Sequence, residues 1–189
     1  MKKKTSLIKK IFLGIVSIWG VLIFAVIVLA IYYYGLFTVY QDDQYKFSIR
    51  YPKTWQIIVH PKPTVAVVFL RPKDTAMDLL QENFSVTVQP LPNGVFTLDE
   101  FSDKLKAQMI SVYGYRSNVN FVQYSPVNWD WHKGYEMSIE APKPDNLKMV
   151  NAWTVYHNQA YILTYLGNID KYYFDSVIVD AIIRSFRLQ

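Results

Sequence analysis

The sequence predicts an α+β fold, a central antiparallel β-sheet with helices on both faces, preceded by one transmembrane helix. Three observations predict it. The run Ile11 to Ile31, IFLGIVSIWGVLIFAVIVLAI, is almost continuously apolar. From Gln44 onward, short stretches alternate apolar and polar residues with period two and are closed by Pro, Gly or charged residues. Two further stretches, near 97–112 and 170–182, place their apolar residues at helical spacing instead.

The first element is the span. A bilayer core needs about 20 apolar residues in a helix, and no charged side chain falls between Ile11 and Tyr40. Lys2, Lys3, Lys4, Lys9 and Lys10 precede the run, and Asp42 and Asp43 are the first charges after it. By the positive-inside rule the tail stays in the cytoplasm and the rest is exported. Tyr32, Tyr33, Tyr34, Phe37 and Tyr40 fit the far headgroup belt. A cleaved signal peptide is the competing reading, with Val28-Leu29-Ala30 as its site, but signal h-regions run only to about 7–15 residues. The expected organisation is a basic tail over 1–10, a transmembrane helix over 11–34, a juxtamembrane linker over 35–43 and an extracytoplasmic domain over 44–189.

Charge and cysteine content exclude whole classes of function. Of the twenty basic residues five lie in the tail, which leaves fifteen against fifteen acids, so the domain is formally neutral. The net charge of +5 therefore marks topology and attraction to lipid, and nucleic acid is not an expected partner. The absence of cysteine removes disulfides, thiolate metal sites, thiol nucleophiles and a lipoprotein anchor together.

Within the domain, Phe47, Ile49 and Tyr51 alternate before Pro52, Trp55, Ile57 and Val59 alternate next, and Val65 to Leu70 is strongly apolar. Phe84, Val86 and Val88 against Ser85, Thr87 and Gln89 give the cleanest strand. Thr97-Leu98-Asp99-Glu100 reads as a capping box opening a helix whose apolar face is Leu98, Phe101, Leu105, Met109 and Val112. Strands follow around 121–124, 134–139, 148–157 and 160–166, the last two joined by the polar connection His157-Asn158-Gln159. The closing helix presents Phe174, Val177, Ile178, Ala181 and Ile182 on one face and leads to a terminal segment, Ser185 to Leu188.

The order of these motifs resembles the PsbP-like family, whose fold is shared with Mog1: FSIRYP with a tryptophan three residues after its proline, NFSVTVQPL, TLDEF opening a helix, NAWTVYHNQAYILTY, and a helix ending IIRSF. The resemblance implies helices on both faces of a central antiparallel sheet and a non-enzymatic accessory role, in photosynthetic organisms usually at the lumenal side of photosystem II. No cofactor is expected, and calcium is the one ion the resemblance would allow. The retained span departs from the plant extrinsic subunit and points to a membrane-tethered paralogue whose partners are the lipid bilayer and a membrane protein complex.

The residues themselves offer little chemistry. The three histidines show no metal-type spacing, and His60 and His157 read as solvated turn residues. Asp130 and His132, at i and i+2, would share one side of a strand and suit a proton or a divalent ion, although an exposed loop between two strands is the favoured reading because no third ligand lies nearby in sequence. Trp129 and Trp131 flank that acid in a segment rich in Pro and Asn and are candidate partner-binding anchors. A cleft near Trp129 to His132 would make the domain a small-ligand or metal-binding protein. No G-x-S-x-G elbow or glycine-rich phosphate loop is present, so a hydrolase would need groups converging from remote positions.

Overall fold

A computed structural model of the chain describes residues 19–21, 23–26, 35–75, 80–92, 96–114, 119–129 and 132–189, the side chains of 122 and 123 excepted. The chain divides into two units, 1–37 and 38–189. In the first, the described residues of the apolar run are helical, and Trp19, Val21, Ile23, Phe24 and Val26 all lie exposed. Among the described residues no helix is long and apolar enough to cross a membrane, and most of the stretch 11–34 lies outside them.

The second unit opens with a correction. The expected linker over 35–43 instead holds a strand, β1 (Phe37–Asp42), which forms a hairpin with β2 (Phe47–Pro52). Lys46 closes that turn in the left-handed region, with φ of 54°. The last strand of the chain, β10 (Arg187–Leu188), completes this small sheet in the order β1-β2-β10.

The large sheet has seven strands. A meander of β3 (Gln56–Lys62), β4 (Val65–Leu70) and β5 (Asn83–Pro90) forms one part, and α1 (Leu98–Tyr113) then carries the chain to the far edge. There β6 (Asn120–Trp129), β7 (His132–Ala141), β8 (Leu147–Tyr156) and β9 (Gln159–Asn168) meander back until β9 pairs with β5. The order is β3-β4-β5-β9-β8-β7-β6, with every neighbour antiparallel. His157 and Asn158 form a two-residue turn between β8 and β9, with φ of 46° and 59°, the twist a tight hairpin requires.

Side-chain alternation gives the sheet two apolar faces. On one, Met137, Ile139, Trp153 and Ala160 pack under α1 through Phe101 and Met109. The capping box is formed as read, with the Thr97 amide donating to Glu100 Oε2 at 2.9 Å and the Glu100 amide donating to Thr97 Oγ1 at 3.3 Å. Ser102 is buried because Trp153 Nε1 donates to its hydroxyl at 2.8 Å. Val112, expected inside, is exposed.

The other face carries Phe84 opposite Tyr165 and Val86 opposite Leu163. The closing helix α2 (Ile169–Arg184) packs here against β2, β8 and β9. Its buried residues are Asp175, Val179, Ile182 and Ile183, so the expected inner face holds only in part: Phe174 and Val177 point to solvent. Beyond the helix, the Phe186 ring lies 5.5 Å from Phe47, 5.9 Å from Tyr161 and 5.7 Å from Trp129, an aromatic cluster that fastens the small sheet to the large one.

Gly134, opposite Val127 in the β6–β7 register, lies beneath the Trp129 ring, and a Cβ there would overlap both that ring and the Trp153 carbonyl. Glycine is therefore a packing requirement at this position. Replacement by valine is expected to destabilise the domain by about 1–3 kcal/mol, measured as a shift of the urea unfolding midpoint at unchanged slope.

Candidate functional site

The residues singled out from sequence separate in the structure. Trp129 is 2% exposed, and its indole Nε1 donates to the Ile183 carbonyl at 2.6 Å. It is a core pin between β6 and the end of α2, which corrects its expected role as an exposed anchor. β6 ends at Trp129 and β7 begins at His132, and the expected Asp130–His132 pair falls across the stretch between them. Asp130 and Trp131 lie outside the described residues. His132 is half-buried, its ring edge-on to Tyr156 at 4.8 Å. Among the described residues no three His, Asp or Glu side chains gather to hold a metal ion.

What the fold does build beside Trp129 is a polar cleft of about 490 Å³ between the β6–β7 edge and α2. Ser125, Asn128 and Glu136 line it from the sheet, and Tyr172, Asp180 and Arg184 from the helix. Burial raises Glu136 above the usual carboxylate range, with Asp180 adding to the shift and Arg184 and Lys148 opposing it. Tyr172 is pushed up to about 12 by burial and then by Asp180, Glu136 and Glu140. Lys148 sits 5.1 Å over the Tyr172 ring and donates to Glu140 Oε1 at 2.7 Å. These groups present both signs of charge along one wall, the chemistry that receives a polar ligand or a charged segment of another protein. The cleft joins residues from remote parts of the chain, so spacing alone could not reveal it.

A second cluster is buried at the other end of α2. Glu82 and Asp175, 3% and 5% exposed, both turn toward Arg71. Arg71 Nη1 reaches Glu82 Oε2 at 2.5 Å and Asp74 Oδ2 at 3.3 Å, and Lys171 reaches the same Asp74 oxygen at 2.9 Å. Its Nε stands 3.5 Å from Asp175 Oδ2, an ion-pair distance too long for a good hydrogen bond. Burial raises Asp175, Arg71 pulls it back, and Asp74 raises it again. Tyr165 is raised chiefly by burial and then by the charges of Glu82 and Asp175, and its hydroxyl has no hydrogen-bond partner. Gly167 leaves room for that hydroxyl. One guanidinium thus ties the end of β4, the start of β5 and the helix together.

A third polar cluster closes the β1–β2 hairpin. Asp42, 3% exposed, accepts hydrogen bonds from the Tyr45 amide at 2.8 Å, the Gln44 amide at 3.0 Å and the Tyr40 hydroxyl at 2.8 Å. Its other oxygen contact is His60 Nε2 at 3.0 Å, so His60 is a partner of β1 and not merely a solvated turn residue. Burial by itself would raise Asp42, but the bonds from Tyr45, His60 and Tyr40 outweigh it and hold the carboxyl below its ordinary value. Burial and the bond to Asp42 push Tyr40 up.

Two outcomes follow. Arg71→Met leaves two buried carboxylates without their cation and is expected to cost about 3–5 kcal/mol, read by denaturant unfolding. Asp42 binds its proton more weakly folded than unfolded, so its contribution is present above pH of about 4 and lost as pH falls through the lower folded value. Asp42→Asn is expected to lose about 1–3 kcal/mol at pH 7, with the gap to the natural protein narrowing as the pH drops, measured by unfolding across pH 3–7.

Similarity to known proteins agrees with this architecture. The profile of the PsbP family matches residues 35–188. Among curated protein sequences none matches the chain. The solution structure of cyanobacterial PsbP from Synechocystis superposes with a TM-score of 0.63 at 18% identity, covering 81% of this chain and 92% of that one. LpqN of Mycobacterium tuberculosis, involved in cell envelope biogenesis, superposes with a TM-score of 0.54 at 6% identity, over 81% and 90% of the two chains. The Ran-binding protein Mog1p of Saccharomyces cerevisiae gives a TM-score of 0.52 at 8% identity, over 80% and 95%. Identities this low speak for the shared fold alone; with the family profile spanning the whole folded domain, the chain belongs to the PsbP family.

Proposed function

We propose that this protein is a membrane-tethered, non-enzymatic accessory protein that uses its PsbP domain to bind a membrane protein complex on the far side of the bilayer from its basic tail. The observation that carries the reading is a juxtaposition in the chain: the family match begins at residue 35, directly after the apolar stretch. The exposed apolar side chains on the described helical residues of that stretch support it, because a helix apolar all round suits lipid. The neutral domain behind it has no charge reason to seek nucleic acid, and its mixed-charge cleft suits a protein partner. Photosystem II is the complex to which the family resemblance points.

A second reading, a small-ligand domain, is favoured by the same 490 Å³ cleft. Affinity purification of the tagged full-length protein from gently solubilised membranes separates the two. A tethered accessory protein brings down one membrane complex, and Asp180→Lys, which inverts a charge on the cleft wall, lowers its recovery about tenfold without releasing the protein from membranes. Recovery of photosystem II subunits names the partner. A protein that comes down alone under every growth condition sinks the reading, and a rise in melting temperature with a small ligand would then support the second one.

A further inference from the structure

The outer face of α2 carries three large apolar side chains in its first half. Tyr173 is 83% exposed, Phe174 79% and Val177 63%, and the two aromatic rings meet edge to face at 5.9 Å. Val177 lies four residues from Tyr173 and three from Phe174, so it neighbours both on the helix surface. A helix whose opposite side is already buried in the core gains nothing from them in folding, since unburied apolar area leaves its hydrophobic free energy unrealised.

The place of this patch in the fold decides what it meets. Thr38, where the chain begins the domain, sits at the Pro52 end of the β1–β2 hairpin. Pro52 leads in one tight turn, with the Trp55 amide bonded to its carbonyl, to Gln56, which pairs with Leu70. Leu70 pairs with Asn83, and Arg71, the residue directly after β4, reaches Asp175 of α2. The start of β1 and the first half of α2 therefore share one end of the domain. In sequence, only Gly35 and Leu36 separate the stretch 11–34 from β1. At about 3.5 Å per residue, a span over that stretch keeps Thr38 within about 15 Å of the lipid surface.

We propose that the Tyr173, Phe174 and Val177 face of α2 seats in the headgroup region of the bilayer, so that the domain lies against the membrane instead of swinging on its tether. The inference rests on the tethered reading given above. The chemistry matches: an aromatic ring with one polar tip beside an apolar ring and an aliphatic side chain is the composition favoured at that interface. Val39, 58% exposed near the start of β1, adds apolar surface at the same end. The polar cleft on the Tyr172, Asp180 and Arg184 side of the same helix stays open to a partner.

The cysteine-free chain makes the test direct. A nitroxide spin label is placed on the full-length protein by Phe174→Cys, and separately by Gln108→Cys on the exposed side of α1, in vesicles of phosphatidylcholine with a minority of phosphatidylglycerol. The label at 174 is expected to collide with oxygen in preference to a water-soluble nickel chelate, as at a depth of roughly 5–10 Å, while the label at 108 shows the reverse. Equal aqueous exposure at both positions, in protein that resists alkaline carbonate extraction, overturns the docking and leaves the tether standing. Release by carbonate overturns both. A label at 174 that is immobilised and shielded from oxygen and nickel alike marks a protein contact and also overturns the proposal.

Discussion

The pairing of β5 with β9 is the constraint on which the remainder of the domain rests. It joins a meander that ends at Pro90 to one that begins at Asn120, and it runs without a break from Asn83 opposite Leu166 to Pro90 opposite Gln159. Three of its cross-strand pairs, Phe84 with Tyr165, Val86 with Leu163 and Val88 with Tyr161, lie on the face that α2 and the small sheet cover. Each such side chain contributes about 1.5–3 kcal/mol when fully buried. Without that seam the two meanders would expose apolar edges and faces that neither could cover alone.

Polar groups refine what the seam allows. The Arg71 cluster sits where β4, β5 and α2 converge, and it holds more acid than base: Glu82, Asp74 and Asp175 against Arg71 and Lys171. A raised Asp175 is the natural response, because a neutral carboxyl costs less to bury than a second unmatched charge. The Asp42 cluster takes the opposite course, with enough donors on one carboxylate to keep it ionised in a buried place.

Much of the fold was legible because its signals are local. The alternation of Phe84, Val86 and Val88 needs no partner to be read, and the capping box at Thr97 announces α1 by its own hydrogen bonds. The misreadings share a cause. Trp129, flanked by Asn128, reads as a loop residue until Gly134 clears a space beneath its ring and Ile183 offers a carbonyl, both supplied from elsewhere in the chain. In α2 the periodicity was sound but the inner face is turned by about one residue, or 100°. Arg71 draws Asp175 inward, and Phe174 and Val177 turn out. β1 reads as a linker because its partners, the strand β2 and the Gln44, Tyr45 and His60 groups that bond Asp42, define it more than its own residues do. The cleft joins β6, β7 and α2, and no short motif spans such distances.

The C-terminal strand has a consequence for the order of events during synthesis. β10 adds to β2 through Arg187 opposite Ser48 and Leu188 opposite Phe47, and the Gln189 amide donates to the Lys46 carbonyl at 2.9 Å. The Phe47 and Phe186 rings meet at the same junction, tilted by 34°. The β1–β2 hairpin is thus among the first parts of the domain to leave the ribosome, and the strand that completes its sheet is the last. During translation the hairpin waits with one edge open and Phe47 uncovered, so a chaperone has an interval in which this hairpin is the segment to shield.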